Sequence, residues 1–300
     1  MWAGTGREAD RAPALLTTTE SATKTSQLSA ASRAKRQTMA WTSAGKSLHE
    51  RLGIVGCVPD AHFEHPRLVA LYDVLHPDRR DLDPYLAMAE DLGARRVLDL
   101  GCGTGTLALL LVARGVEVVG VDPAAGSLRV AQTKPGADRV RWIRGDATAL
   151  PPMQADLATM TANVAQAIVD PADWDRTLGG VYGALRPGGR LVFETRDPAS
   201  RAWEGWTRAA TRRSDEIAGV GAVESWTDLV EVSGPLVSFR HTFVFARDGA
   251  VLTSDSTLRF RERDEVVAAL LEHGYVLEDV LDAPDRQIGR ELVFVASRPG

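Results

Sequence analysis

Val97-Leu98-Asp99-Leu100-Gly101-Cys102-Gly103-Thr104-Gly105 is the stretch that decides the fold. A short apolar run over 96–100 reads as a buried strand, and three glycines then alternate with small residues. Glycine at 101, 103 and 105 lets the backbone turn tightly and approach a ligand, because a Cβ there would collide or forbid the dihedrals. The apolar residues after Gly105 read as a helix over 106–114, whose free N–H groups point back at the turn. A strand, a glycine turn and a helix in succession open a βαβ unit.

Working outward, the same alternation repeats. Strands are predicted over 116–121, 140–144, 155–161 and 190–195, with helices over 125–134 and 174–185. Arg186-Pro187-Gly188-Gly189 supplies the turn before the fifth strand. Upstream, His65-Pro66 starts a helix that carries Leu68, Leu71, Tyr72 and Leu75, and a second helix runs from Asp83-Pro84 to Leu92. Right-handed crossovers put such strands in one parallel sheet. The rhythm breaks over 223–260, where strands at 223–231, 236–246 and 251–260 follow one another across short turns, as an antiparallel unit does. A helix over 263–273 and strands over 275–281 and 291–296 complete the chain. The expected fold is therefore α/β: a Rossmann-like, seven-stranded, mostly parallel sheet with an antiparallel β insertion after the fifth strand. The expected division is a disordered extension over 1–50, N-terminal helices over 51–93 covering the ligand site, and the main domain over 94–300, with 198–260 an inserted cap. The extension is rich in Ala, Ser and Thr and shows no hydrophobic period.

In an open parallel sheet ligands bind beyond the carboxyl ends of the strands. Asp122 ends the second strand about twenty residues after the turn, where a carboxylate suits the two hydroxyls of a ribose. A helix N-cap is the other use that Asp suits, and the spacing favours the ribose. The dinucleotide pattern G-x-G-x-x-G/A is broken by Thr106 at its last position, and Asp99 sits badly beside a pyrophosphate. A cationic nucleoside without phosphates fits both acids.

At this point the resemblance is plain. V-L-D-L-G-C-G-T-G, then V-V-G-V-D-P, then R-G-D-A, then L-R-P-G-G-R-L-V-F-E resembles the class I S-adenosylmethionine-dependent methyltransferases in order and spacing. The resemblance covers roughly residues 72–195 and the last two strands, and it implies S-adenosylmethionine as cofactor and methyl transfer as activity. It implies that the 101–105 turn (Gly101, Cys102, Gly103, Thr104) lies along the methionine part, with the Gly101 carbonyl and Asp99 serving its amino group. Asp122 would hold the ribose, Pro123 pack on the adenine, Asp146 accept from the adenine amino group, and the Ala147 N–H meet the ring. Asn163 and Val164 would line the cofactor beside the reacting methyl, and Tyr72 would close over it or simply pack on its helix face. Thr161-Ala162-Asn163-Val164-Ala165-Gln166 departs from the Asn/Asp-Pro-Pro-aromatic signature of enzymes that methylate nucleobase or glutamine amino groups.

In-line displacement at a sulfonium carbon needs a base only when the acceptor must lose a proton. His241, in the alternating row Val237, Phe239, His241, Phe243 and Phe245, is one candidate catalytic residue; such a histidine also serves simply as a hydrogen-bonded core residue. Arg196, just past the fifth strand, is the other, and pairs either with an acidic acceptor or with Glu194 or Asp197. Trp203, Trp206 and Trp226 either wall an acceptor pocket or pack. The layout is similar to glycine and amino-sugar N-methyltransferases, which implies a small-molecule acceptor. A net charge of −5 offers no field for nucleic acid. Two cysteines, Cys57 and Cys102, make neither a disulfide framework nor a zinc set, so no metal is expected. No run is long enough to span a bilayer, and a cytoplasmic enzyme is expected. The competing readings are a non-catalytic cofactor-binding module and a nicotinamide-dependent oxidoreductase.

Overall fold

The structure, a computed structural model, describes residues 59–283 and 288–300. The expectations for 1–50, for 51–58 and for Cys57 lie outside these residues. Seven strands form one sheet in the order β10-β11-β5-β4-β1-β2-β3. These are β1 (Arg96–Leu100), β2 (Glu117–Asp122), β3 (Val140–Arg144), β4 (Ala155–Met160), β5 (Leu185–Arg196), β10 (Val276–Asp282) and β11 (Glu291–Ser297). The first five pair in parallel, whereas β11 runs antiparallel to both β5 and β10. Chain direction along the sheet reverses between β1 and β4, so the crevice beyond their carboxyl ends is the topological switch point.

Both faces are covered, which is why the strands read as continuous apolar runs. On one face α3 (Asp83–Asp91) and α4 (Thr106–Ala113) pack Tyr85, Leu86, Leu107 and Leu111 against Val97, Val192 and Val293. On the other, α7 (Pro171–Ala184) and α9 (Arg263–Glu272) bring Trp174, Leu178 and Leu270 against Phe193 and Phe294. The start of α7 falls at Pro171, not 174, because the Asp170 carboxylate caps it by accepting from the Ala172 and Asp173 N–H groups.

A second sheet, β6-β7-β8-β9, is antiparallel throughout: β6 (Arg213–Ile217), β7 (Gly221–Ser233), β8 (Leu236–Phe245) and β9 (Val251–Arg259). It has one strand more than the sequence reading gave. Strand β6, Arg-Ser-Asp-Glu-Ile, lacks an apolar alternation, and its ladder to β7 is all that makes it a strand. This sheet shares a core with α2 (Pro66–Leu75): Leu68, Leu71 and Leu75 meet Ile217, Val223, Phe243 and Phe245. Before it, α1 (Ala61–Glu64) is tied to β9, where the His62 N–H donates to Ser254 Oγ at 2.8 Å. Among the described residues no helix is long and apolar enough to cross a membrane.

Candidate active site

The turn after β1 is held from below. Gly101 and Cys102 donate their N–H groups to the Val121 carbonyl at the end of β2, at 2.7 and 3.1 Å. Gly101, Gly103 and Gly105 all have positive φ, the left-handed region that glycine alone enters without strain. A Cβ on Gly101 would stand 2.4 Å from Val164 Cγ2, whereas one on Gly103 would meet nothing within 4 Å. The turn is therefore packed at its first glycine and open at its second. Cys102 is buried, and burial holds its thiol well above the ordinary value, so it fills space.

Two carboxylates flank the turn. Asp122 accepts from the Gly103 N–H and from the Ala124 N–H, each at 2.8 Å. It does not cap the next helix, α5 (Ala125–Thr133), whose N-cap residue is Ala124. The side chain braces the turn from the neighbouring strand end. Burial pushes its pKa up, and the two backbone donors pull it back. Asp99 is only 1% exposed; Thr159 donates to its Oδ1 at 3.1 Å, the Ala108 backbone N–H also favours its ionised form, and its Oδ2 makes no hydrogen bond of ordinary geometry among the described residues. Desolvation raises its pKa to about 7. A buried acceptor without a donor costs roughly 1–3 kcal/mol, and a neighbouring cation would remove that cost. These two acids and the glycine cradle fit a cationic nucleoside.

The other positions predicted for this site follow the ends of β1, β2, β3 and β4 or sit on α2. Thr104 donates to Asp73 Oδ1 at 2.6 Å, and Asp73 also pairs with Lys134 at 2.6 Å, so α2 is latched onto the turn. Sequence reasoning missed Asp73, although it follows Tyr72 directly. Tyr72 is half-buried, with its ring 5.6 Å from His62 and 5.0 Å from His76. Pro123 is half-buried beside Asp122. At the end of β3 the exposed Asp146 turns its Oδ1 to the Thr148 N–H and hydroxyl, while Ala147 is buried against α7.

Beyond β4, Ala162 and Asn163 take φ of 55° and 62°, and α6 (Val164–Ala167) follows. The Asn163 side chain donates to Glu291, its N–H reaches Glu194 at 3.3 Å, and Tyr85 donates to the same carboxylate at 2.5 Å. The Asn163 Oδ1 is buried with no partner among the described residues. Glu291 and Tyr85 carry no motif, and Glu194 closes the fourth quoted block; the pairing of β5 with β11 and the packing of α3 bring them together. Arg196 donates to Gln166 Oε1 at 3.0 Å and stands 5.8 Å from the Trp206 ring.

An aromatic row continues from there. Trp206 meets Phe239 at 4.7 Å, Phe239 meets His241 at 5.1 Å, and His241 meets His62 at 5.4 Å between centroids. His241 shares a hydrogen bond of 2.9 Å with Thr227, and burial lowers its pKa to about 4. His62, which no sequence feature singles out, is lowered to about 3 by burial and by His241 and His76. Both imidazoles are neutral at physiological pH. Trp203 packs on Phe260 at 4.6 Å. Trp226 lies on the opposite face of β7 from Thr227, under Arg208 at 3.9 Å, and so does not belong to this row.

Residues 97–189 match the family described as methyltransferase domain. A demethylmenaquinone methyltransferase of Thermus thermophilus is 40% identical over 130 residues, 42% of this chain and 56% of that protein. A malonyl-[acyl-carrier protein] O-methyltransferase of Methylococcus capsulatus is 38% identical over 135 residues, 40% and 48% of the two chains. The chain thus spans about half the length of the curated relatives it matches. Among solved structures, an S-adenosylmethionine-dependent methyltransferase from Clostridium acetobutylicum superposes with a TM-score of 0.62 at 18% identity, over 78% of this chain and 98% of that one. A sugar N-methyltransferase from Streptoalloteichus gives 0.62 at 18% identity, over 87% and 98%. An amino-pentose methyltransferase from Micromonospora echinaspora, solved with S-adenosylmethionine bound, gives 0.60 at 23% identity, over 76% and 96%. At these identities the structural likeness establishes the shared fold.

Proposed function

We propose, from the premise that this chain carries a methyltransferase domain of the class I S-adenosylmethionine-dependent fold, that it transfers the methyl group of that cofactor to nitrogen or oxygen of a small-molecule acceptor. The observation that carries the reading is the pair of acids on adjacent strand ends, Asp99 with a buried bare oxygen and Asp122 bracing the open glycine. When bound, S-adenosylmethionine supplies a methyl carbon already activated by its sulfonium. The protein's part is to bind, align and desolvate. Asp99 would hold the ammonium and Asp122 the ribose hydroxyls. Val164 and Asn163 would wall the methionine end, with Tyr72 over it, and Pro123, Asp146 and the Ala147 N–H would take the adenine.

The acceptor would enter between the strand ends and the β6–β9 sheet, which serves as a cap, while the helices before β1 cover the cofactor. Arg196 at the end of β5 would orient it. His241, its Nδ1 shared with Thr227, would take a proton from an acceptor that must lose one only where the bound acceptor lifts the lowered pKa of about 4 toward neutrality. Alignment of donor and acceptor supplies up to roughly 7–11 kcal/mol, so this base is secondary to positioning. The sugar N-methyltransferase folds among its neighbours support a small acceptor.

Calorimetry with S-adenosylmethionine and S-adenosylhomocysteine tests the site. Asp122→Ala removes charge-assisted hydrogen bonds, and affinity should fall by about tenfold or more. Unchanged affinity would remove Asp122 as the ribose partner. A screen of amines, acids and phenols with methyl-labelled cofactor should then yield a small methylated product. Label passing only to RNA or protein contradicts the small-acceptor reading.

A further inference from the structure

Arg261 is 2% exposed and lies where the chain leaves β9 and returns to the main domain ahead of α9. No carboxylate hydrogen-bonds its guanidinium among the described residues. Its Nη1 donates instead to the Ala165 carbonyl at 2.8 Å and its Nη2 to the Ile168 carbonyl at 2.6 Å, while the Trp174 ring lies 4.4 Å beneath it. Burial, with Arg259 beside it, lowers its pKa to about 10, so the group remains charged at neutral pH. Glu265 and Asp175 act on it without hydrogen-bonding to it; a charge buried with so little compensation is costly, and a methionine of similar volume would fill the space without that cost. What methionine cannot supply is a planar fork that fixes two carbonyls three residues apart.

Those carbonyls lie within α6 and just past its end, in the segment that opens with left-handed Ala162 and Asn163. The same segment sets Val164 against the Gly101 turn and the Asn163 N–H on Glu194. We propose that Arg261 is a positioning residue for cofactor binding: it clamps residues 162–168 so that Val164 and Asn163 stand against the turn after β1. The inference rests on reading that turn as the S-adenosylmethionine site. It also gives the strand leaving the cap a direct hold on the cofactor wall.

The test pairs hydrogen exchange with calorimetry on R261M, R261K and a control, V266A, which trims a fully buried side chain of the same core. In R261M, exchange across 162–168 should quicken and S-adenosylhomocysteine affinity should fall by about tenfold, the cost of a displaced binding wall. R261K, able to reach one carbonyl, should fall between R261M and wild type. V266A should lower the melting temperature while leaving exchange in 162–168 and affinity unchanged. Native exchange in R261M, affinity within about twofold of wild type, or equal losses in V266A would each overturn the proposal. Wild-type protein that binds no S-adenosylhomocysteine would overturn the cofactor reading itself, and the exchange data would still report on the clamp.

Discussion

Asp99 carries a conflict that pH exposes. Desolvation outweighs the Thr159 hydrogen bond, and the carboxyl, ordinarily at 3.8, is raised to about 7 in the folded protein. Between those two values the native state holds a proton that the unfolded chain has released, so stability falls as pH rises from about 4 to about 7. Melting curves of the ligand-free protein should show that slope, and Asp99→Asn should flatten it and melt higher than wild type at pH 8. A cation seated against Asp99 favours the ionised form. Binding of S-adenosylmethionine at pH 6 should therefore release a proton, seen as a buffer-dependent enthalpy that Asp99→Asn lacks. No difference between buffers would separate Asp99 from the cofactor's ammonium.

At the scale of elements, the site is a contact between the turn after β1 and the start of α6. Gly101 and Val164 meet so closely that a methyl at 101 overlaps both Val164 methyls, at 2.4 and 2.6 Å. Gly101→Ala adds left-handed strain to that overlap, and each contributes roughly 1–3 kcal/mol. Cutting back the partner relieves only the overlap. The double variant Gly101→Ala/Val164→Ala should consequently be more stable than the two single losses predict, by about 1 kcal/mol or more in chemical denaturation. Simple additivity would mean that the turn and α6 do not bear on one another. Residues 162–163 accept left-handed geometry because the Glu194 carboxylate meets the Asn163 N–H from β5.

Across the whole molecule the described residues hold three apolar cores, two on the faces of the large sheet and one between α2 and the cap sheet. The third contains no strand of the large sheet, so the cap and α2 should open together. Phe245, 1% exposed and covered by Arg67 at 3.7 Å, is its largest fully buried member. Phe245→Ala should cost roughly 3–5 kcal/mol. Hydrogen exchange should then quicken in both α2 and β7–β8 while β1, β4 and β5 stay protected. Loss of protection spread evenly over both sheets would refute separate cores. The surface pair Arg67–Asp248 adds little to this union, because both side chains are exposed.

The α/β alternation, the glycine turn and the two acids at strand ends were legible in the sequence because each is a local demand. A buried strand shows as an apolar run, and a left-handed turn shows as glycine. The family resemblance rests on those same local blocks. Asp122 was open to two uses, and the fold shows it bracing Gly103 and Ala124 instead of capping a helix. Strand β6, the latch from Asp73 to Thr104, the Glu194–Asn163–Glu291 group and the clamp from Arg261 to Ala165 were not legible. Strand β6 pairs with β7 only 4 to 12 positions away but has no alternation to announce it, whereas the partners in the other three lie from 31 to 128 positions apart. Periodicity says which face a side chain takes on its own element, and only the packing of elements decides what it meets there.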